Sequence, residues 1–352
     1  MRIGILTFHA SINYGSYLQA RCLTEGLRAR GHDAVLLDHQ SCAIRSAELR
    51  SAFRPALPDR TPRREQPALG RKVRAFAEAV AHLPLSPGFP LDQPEAADDY
   101  DAIVVGSDEV WNFSHPWYGF RPIFFGDGLR ADRVVAYAAS FGNHEAGRGV
   151  EHDWAEKLRR FDAISVRDEN SRALVADALG REAAMALDPC LQFPAAFLSP
   201  TATSRWPYAV LYGHGLPEWF ALAMRRWAEC EGLRLVSAGY PSAHAHENAA
   251  GAGPLEFARL IGNARAVATS FFHGAVFALH YGKPFVAAPS PYRRIKLEGL
   301  CAALGCTERL IDEHVDDAHI AALMTAPPSP GVTARIAEQR ERSARFLDAA
   351  LG

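Results

Sequence analysis

No charge of one sign dominates this chain: 38 lysines and arginines meet 40 aspartates and glutamates, a formal net charge of −2. A nucleic-acid partner, which calls for a basic face, is therefore not expected. The six cysteines (Cys22, Cys42, Cys190, Cys230, Cys301 and Cys306) never fall in CxxC spacing. Neither a zinc site nor a disulfide framework is expected from them, and a reducing compartment is. No run is long and apolar enough to span a bilayer, and the opening MRIGILTF is too short for a signal peptide and has no small-residue cleavage site after it. The expectation is a soluble, cytoplasmic protein. GxGxxG is missing too, which counts against a dinucleotide cofactor, and no short-period repeat is present.

What the sequence does contain is one pattern used repeatedly. An apolar run of strand length ends in small and polar residues, and an amphipathic helix follows. Arg2 to Phe8 leads through HASINYGS into a helix over Ser16 to Arg30, with Ala34 to Asp38 as the next strand. Asp101 to Val105 leads into GSDEVWN, Val134 to Ala138 into Ala139 to Gly142, and Ala163 to Val166 into Arg167 and Asp168 before a helix over Asn170 to Leu179. A linker rich in Pro, Ser and Thr is expected from Pro194 to Trp206. The pattern then restarts with strands at Tyr208 to Tyr212 and Leu233 to Ser237, a helix over Pro254 to Asn263, a strand ending at Thr269, and another over Phe285 to Ala288. The fold class that follows is α/β with two Rossmann-like domains, residues 1–195 and 206–331, with a terminal helix over 332–352 and the cleft between the domains as the default site. Residues 40–99, rich in Arg, Ala and Pro, read as a variable insertion or lid carrying one amphipathic helix over Leu69 to His82.

Thr269 to Pro284, TSFFHGAVFALHYGKP, is the stretch with the most chemistry. It reads as a strand end, a turn and a buried helix, with His273 in the turn and Gly274 beside it. N–H groups at such a start favour an anion, and a histidine there can change charge near neutral pH. The ordinary alternative is that Ser270 caps the helix and His273 is a hydrogen-bonded core residue. Similar alternatives stand beside the other edges. Ser107 or Asp108 can be a cap, Trp111 can be core rather than a ligand wall, and Arg167 can pair with a neighbouring carboxylate rather than clamp an anion. The loop after Phe285 to Ala288 carries Tyr292, Arg293, Arg294 and Lys296, a cluster that suits a phosphate or an acidic sugar as well as solvent.

Six stretches in this order, ILTFHASINYGSYLQA, YDAIVVGSDEVWN, AYAASFG, ISVRDENS, LDPCL and TSFFHGAVFALHYGKPF, resemble the polysaccharide pyruvyl transferase family. The matching pieces span roughly Arg2 to Phe285. The resemblance implies a GT-B-like pair of Rossmann-type domains and an enzyme that moves the enolpyruvyl group of phosphoenolpyruvate onto sugar hydroxyls, forming a pyruvate ketal and releasing phosphate. It implies His273 as acid/base residue, Arg167 as anchor of the donor carboxylate or phosphate, and Ser270 and Gly274 at the phosphate end, assisted by Arg294 and Lys296. Asn13, Tyr14, Gly15, Ser107, Asp108, Trp111, Asn112 and Ser140 would face the cleft and the acceptor. The implied partners are phosphoenolpyruvate and a sugar or glycan, lipid-linked forms included; no cofactor or metal is implied. Glu109 stands where the branch commonly has glutamine, which alters the charge beside Asp108. Phe272 precedes the histidine where relatives carry arginine or serine nearby, which leaves the basic loop after Pro291 to supply a cation. A glycosyltransferase using a nucleotide sugar, with Glu298 as the acidic residue for a ribose, is the second expectation; transfer to a small-molecule acceptor and a non-catalytic sugar-binding protein are the others.

Overall fold

The computed structural model describes residues 1–55, 60–193, 195–199 and 206–352. Most of the expected linker (194 and 200–205) and four residues of the proline-rich loop (56–59) lie outside the described residues. The chain divides into two compact units, the first being Met1–Ala47, His82–Pro194 and Ile336–Gly352, the second Glu48–Ala81 and Ala195–Arg335.

The main sheet of the first unit is built from β1 (Arg2–Leu6), β2 (Asp33–Leu36), β3 (Tyr100–Val105), β4 (Ala131–Ala139), β5 (Ala163–Val166) and β6 (Ala184–Met185). They form one sheet in the order β2-β1-β3-β4-β5-β6, every pair parallel. A parallel strand is covered on both faces, so it reads as a continuous apolar run rather than an alternating one. Ile103, Val104 and Val105 of β3 are all fully buried, as that rule requires. Helix α1 (Tyr14–Ala29) follows β1 and starts at Asn13, whose Oδ1 accepts the N–H groups of Gly15 at 2.9 Å and Ser16 at 3.3 Å. Helix α2 (Glu169–Leu179) follows β5 and is capped by Asp168, which accepts from Ser171 N at 2.8 Å. The strand order reverses at β1, with β2 on one side and β3 on the other. A crevice therefore opens beyond the carboxyl ends of β1 and β3, where open α/β sheets place ligands.

The second unit has strands β7 (Tyr208–Tyr212), β8 (Arg234–Ala238), β9 (Glu247–Ala249), β10 (Val267–Thr269) and β11 (Phe285–Ala287), again all parallel, in the order β9-β8-β7-β10-β11. Here the order reverses at β7, so the corresponding crevice lies beyond β7 and β10. Helix α3 (Phe272–His280) leaves β10 and is mostly apolar between its two histidines, His273 and His280; Ala275, Val276, Phe277 and Ala278 are fully buried.

The units are not contiguous in sequence, and this corrects the expected boundaries. The amphipathic helix anticipated in the insertion is present as α4 (Gln66–Ala81), burying Leu69, Lys72 and Phe76. It packs within the second unit: a Cβ on Gly253 would lie 2.9 Å from Ala75 Cβ, and one on Gly251 3.1 Å from the Ala68 carbonyl. Residues without side chains let this helix approach the turn before α5 (Pro254–Asn263). The terminal helix α6 (Pro330–Leu351) belongs to the first unit from Ile336 onward. There Ser343 Oγ accepts the Leu187 N–H at 2.9 Å, and Gln192 Nε2 donates to the Arg340 carbonyl at 3.1 Å.

Candidate active site

In the first unit the polar edge is organised by buried charge. Arg167, at the end of β5, donates from one terminal nitrogen to Asp188 Oδ2 at 2.9 Å and from the other to Asp108 Oδ1 at 3.1 Å. Its side chain is 2% exposed and those of Asp108 and Asp188 are 8% and 1%. Burial alone would lower the guanidinium pKa, but Asp108, Asp188, Asp168 and Glu109 together raise it, so the cation is held in place by its carboxylates. Asp108 also accepts from Ser16 Oγ at 2.7 Å and adopts a φ of 79°. Such a backbone costs about 1–3 kcal/mol outside glycine and persists where surroundings over-determine it, as the contacts with Arg167 and Ser16 do here.

The residues expected along this edge separate into two groups. Asn13 is exposed and caps α1, while Asp108 and Asn112 remain in the polar network; Asn112 Nδ2 donates to Glu109 Oε2 at 2.7 Å and Asn143 Oδ1 at 2.9 Å. Tyr14, Gly15, Ser107, Trp111 and Ser140 are corrected to interior roles. Trp111 is 1% exposed, donates its indole N–H to the Phe124 carbonyl and packs on Phe125, Phe141 and Phe161. Ser107 Oγ donates to the Ala138 carbonyl, and Ser140 Oγ to Asp168 at 2.6 Å. Arg167 is corrected as well: a guanidinium enclosed between two carboxylates positions the edge, and a ligand anion approaching it would meet both negative charges. Sequence reasoning missed His9, which is fully buried with Nε2 3.2 Å from Asp38 Oδ1 and Nδ1 3.3 Å from the Thr7 carbonyl.

In the second unit, β10 ends against β7 through Thr269, whose Oγ1 donates to the Tyr212 carbonyl at 2.8 Å and accepts the Phe271 N–H at 3.0 Å. Phe271, not Ser270, is the cap of α3, and it supplies no side-chain hydrogen bond. Ser270 is thus released from the capping role anticipated as the alternative. Its hydroxyl is 2% exposed as a residue and makes no hydrogen bond among the described residues. It lies against Gly213, where a Cβ would come within 2.5 Å of Ser270 Oγ. His273 follows in the first turn of α3, 9% exposed, its ring edge-on to Phe272 at 5.1 Å.

Gly274 is corrected from a phosphate-lining residue to a packing one, because a Cβ there would collide with the Thr269 side chain. Gly274→Ala is therefore expected to destabilise the protein by about 1–3 kcal/mol through overpacking. Thermal denaturation checks this; an unchanged midpoint would show that the strand and helix are not closely packed there.

The basic loop also resolves differently from its sequence. Arg294 points outward to Glu298 at 3.3 Å, with more than half its side chain exposed. Lys296 is buried with Nζ 5.6 Å from the Tyr292 ring centre. Arg293 turns inward: its guanidinium carbon lies 4.3 Å over the Phe271 ring, one nitrogen donates to Ser290 Oγ at 3.0 Å, and the other is 3.3 Å from His214 Nε2. Lys72 of α4 donates to the Gly239 carbonyl at 3.0 Å and sits 4.1 Å over the Tyr240 ring, its pKa lowered by burial to about 7. Burial first, then Arg293 and Lys72, lower His214 to about 4. Neither Lys72 nor His214 was anticipated, since each depends on contacts distant in sequence.

A family model for polysaccharide pyruvyl transferases matches residues 13–289. The chain belongs to the polysaccharide pyruvyl transferase family. It is therefore a transferase, and the family places it in polysaccharide biosynthesis. No curated protein matches the sequence significantly. Among solved structures, the UDP-GlcNAc 2-epimerase of Neisseria meningitidis bound to UDP-GlcNAc is similar at 11% identity and a TM-score of 0.52, covering 99% of this chain and 100% of that one. The UDP-GlcNAc 2-epimerase of Methanocaldococcus jannaschii gives 11% and 0.50 with the same coverage. An O-GlcNAc transferase of Thermobaculum terrenum matches at 13% and 0.41, this chain spanning 64% of its length. The epimerase likeness is one of fold and agrees with two parallel-sheet, Rossmann-like units. Among the described residues of this pyruvyl transferase family member, no helix is long and apolar enough to cross a membrane.

Two histidines, one buried and one partly buried, are expected to make stability fall in acid. His39, fully buried with Nε2 3.0 Å from the Thr7 carbonyl, is lowered by burial to about 3, and His214 to about 4. Both folded values lie below that of an unfolded histidine, so the unfolded chain binds more protons in between and stability falls as pH drops below about 6.5. Each contributes a slope of up to about 1.4 kcal/mol per pH unit, His214 less because it is partly open to solvent. Denaturant titrations between pH 7 and 4.5 are expected to show this loss, with His39→Gln flattening it; a pH-independent midpoint would contradict the neutral, buried state of His39.

Proposed function

We propose that this protein transfers the enolpyruvyl group of phosphoenolpyruvate to two hydroxyls of one sugar residue in a glycan or glycoconjugate, closing a pyruvate ketal and releasing inorganic phosphate. The observation that carries the reading is the family match over residues 13–289 combined with His273 in the first turn of α3, beyond the carboxyl end of β10 at the reversal of strand order. Helix-start N–H groups and nearby cations favour a phosphorylated carboxylate in such a place.

In the proposed reaction a proton reaches the methylene carbon of the donor, C2 takes on oxocarbenium character, and the first hydroxyl oxygen bonds to C2 as its proton is removed. The second hydroxyl bonds to the same carbon while the bond from C2 to the phosphate oxygen breaks. Of the two hydroxyl protons, one ends on the new methyl group and the other leaves with phosphate. The sum is redox-neutral and balances without a cofactor. His273 is assigned both proton transfers, since an imidazole can alternate between acid and base within one cycle. Ser270 Oγ, buried and without a hydrogen bond among the described residues, is assigned a donor oxygen. Asn13, Asp108, Glu109 and Asn112 on the first unit are proposed for sugar hydroxyls, with Arg167 positioning Asp108. A lipid-linked acceptor and a cytoplasmic setting belong to the same proposal.

The nucleotide-sugar reading is not favoured by Glu298, which is tied to Arg294 on the surface of its helix. Calorimetric titration with phosphoenolpyruvate beside UDP-sugars tests the choice. Binding of phosphoenolpyruvate is expected; binding of a UDP-sugar alone would overturn the reading in favour of glycosyl transfer.

A further inference from the structure

The geometry points to a carbohydrate platform on the first unit, where the exposed ring of Phe120 carries the apolar face of a pyranose next to the sugar residue that receives pyruvate. Its part in the acceptor site rests on the function proposed above; the platform itself rests on the loop that follows β3. That loop, residues 106–121, leaves the carboxyl end of β3, passes through the polar network of Glu109 and Asn112, and then folds back on itself. Phe120 is 53% exposed, whereas Trp111, Phe113 and Tyr118 of the same loop are buried and Trp117 is partly so.

Four rings step outward from the core in one stack, Trp111, Phe125, Phe113 and Phe120. Their successive centres are 5.9, 6.1 and 4.8 Å apart, with interplanar angles of 25°, 4° and 19°. These are the spacings of offset-stacked aromatic pairs. Trp154, on the helix His152–Arg159, braces the stack from the side, 4.8 Å from Phe125, 5.4 Å from Phe113 and 5.7 Å from Phe120. Phe125 and Phe113 each lie between two stacked neighbours. Phe120 has one, Phe113, among the described residues, and half of its surface stays open.

The chain holds this ring outward against local preference. Phe120 has a φ of 54°, a left-handed conformation that asparagine or glycine adopts more easily than a bulky residue. The fold-back depends on Gly119, whose N–H donates to the His115 carbonyl at 3.0 Å and where a Cβ would lie 2.4 Å from the Phe113 carbonyl oxygen. His115 Nδ1 pins the turn by accepting the N–H groups of Trp117 at 3.2 Å and Tyr118 at 3.1 Å. Strain of this kind gathers at ligand contacts, and an open ring face is the feature it presents here. The neighbouring groups select a sugar. Asn112, adjacent to Phe113, donates to Glu109 and Asn143, both partly exposed, and accepts the Ser114 N–H at 2.9 Å. A pyranose has hydroxyls around its rim and slightly positive C–H groups on its face, so it matches amide and carboxylate groups beside an aromatic face. Membership of a polysaccharide-modifying family agrees with such an occupant.

The test is saturation-transfer NMR titration of the full chain, without phosphoenolpyruvate, for wild type, Phe120→Ala, Phe120→Asn and Phe120→Trp. The probes are methyl glycosides of glucose, galactose, mannose and N-acetylglucosamine, and disaccharides built from them. Wild type is expected to bind at least one disaccharide more tightly than either of its component monosaccharides. Phe120→Ala and Phe120→Asn are expected to weaken that disaccharide about tenfold, the upper scale of one stacking contact, and Phe120→Trp to stay within about threefold because a ring face is kept. Phe120→Asn controls for folding, since asparagine accepts the left-handed backbone. Disaccharide binding lost in both variants, in a protein that forms no ketal, would support the platform and refute its acceptor role. No sugar bound by the wild type at millimolar concentration, or wild-type affinity in folded Phe120→Asn, would overturn the platform whether or not ketals form. A dimer that sedimentation shows to dissociate on Phe120→Ala would also overturn it, by giving the ring face to a second copy of the chain.

Discussion

Arg167→Ala is expected to destabilise the protein by about 3–5 kcal/mol, because it strands two buried carboxylates without their cation. Asp108 and Asp188 are 8% and 1% exposed at their side chains, and both accept from this one guanidinium. For a unit of this size each kcal/mol corresponds to about 2–4 °C, so a fall in melting temperature of roughly 10 °C is the expected reading. Arg167→Met combined with Asp108→Asn and Asp188→Asn is expected to recover part of it, since a neutral core is tolerated better than an unpaired charge. The alternative, an arginine whose task is to clamp a donor anion, makes the opposite statement. Arg167→Ala would then melt like wild type and lose only ligand affinity, and that result would contradict the positioning role.

His273→Ala is expected to act on turnover instead. Removing a positioned general acid/base typically costs about 10²–10⁴ in rate. The Kd for phosphoenolpyruvate is expected to change little, because the helix-start N–H groups and nearby cations, not the imidazole, are proposed to hold the phosphate. Phosphate release measured at saturating donor separates the two effects. Turnover within about tenfold of wild type would place the proton transfers on another group, since so small a loss is below that range.

The strand pattern was legible because parallel strands are buried on both faces, and ARAVAT, YAVLY and DAIVV can hardly be anything else. The place of His273 in the fold was legible for a related reason: it stands between a buried strand and the apolar run Ala275 to Leu279, and it falls in the first turn of the helix that buries that run. Burial around the edges was less legible. Trp111 following GSDEV suits a ligand wall and a core equally, and only the rings of Phe125, Phe141 and Phe161 around it decide. Arg167 finds Asp188 21 residues later and Asp108 59 residues earlier, so its pairing is a tertiary fact. Lys72 is further still, 167 residues from the Gly239 carbonyl it bonds, and nothing local assigns its helix to the second unit. Arg293 and Arg294 are neighbours, yet the short helical turn Pro291–Arg293 leading into the helix Arg294–Leu304 points one inward and leaves the other to pair with Glu298 four residues on.

Transfer of a three-carbon unit from phosphoenolpyruvate to a sugar is best followed through the carbon itself. The purified protein would be incubated with phosphoenolpyruvate labelled with ¹³C at C2 and a panel of mono- and oligosaccharide acceptors, free and lipid-linked, with carbon and phosphorus NMR recorded together. The expected result is a labelled quaternary ketal carbon on one sugar, formed with one inorganic phosphate per ketal and absent with His273→Ala. Phosphate release without carbon transfer, or consumption of a nucleotide sugar while the labelled donor stays intact, would contradict it.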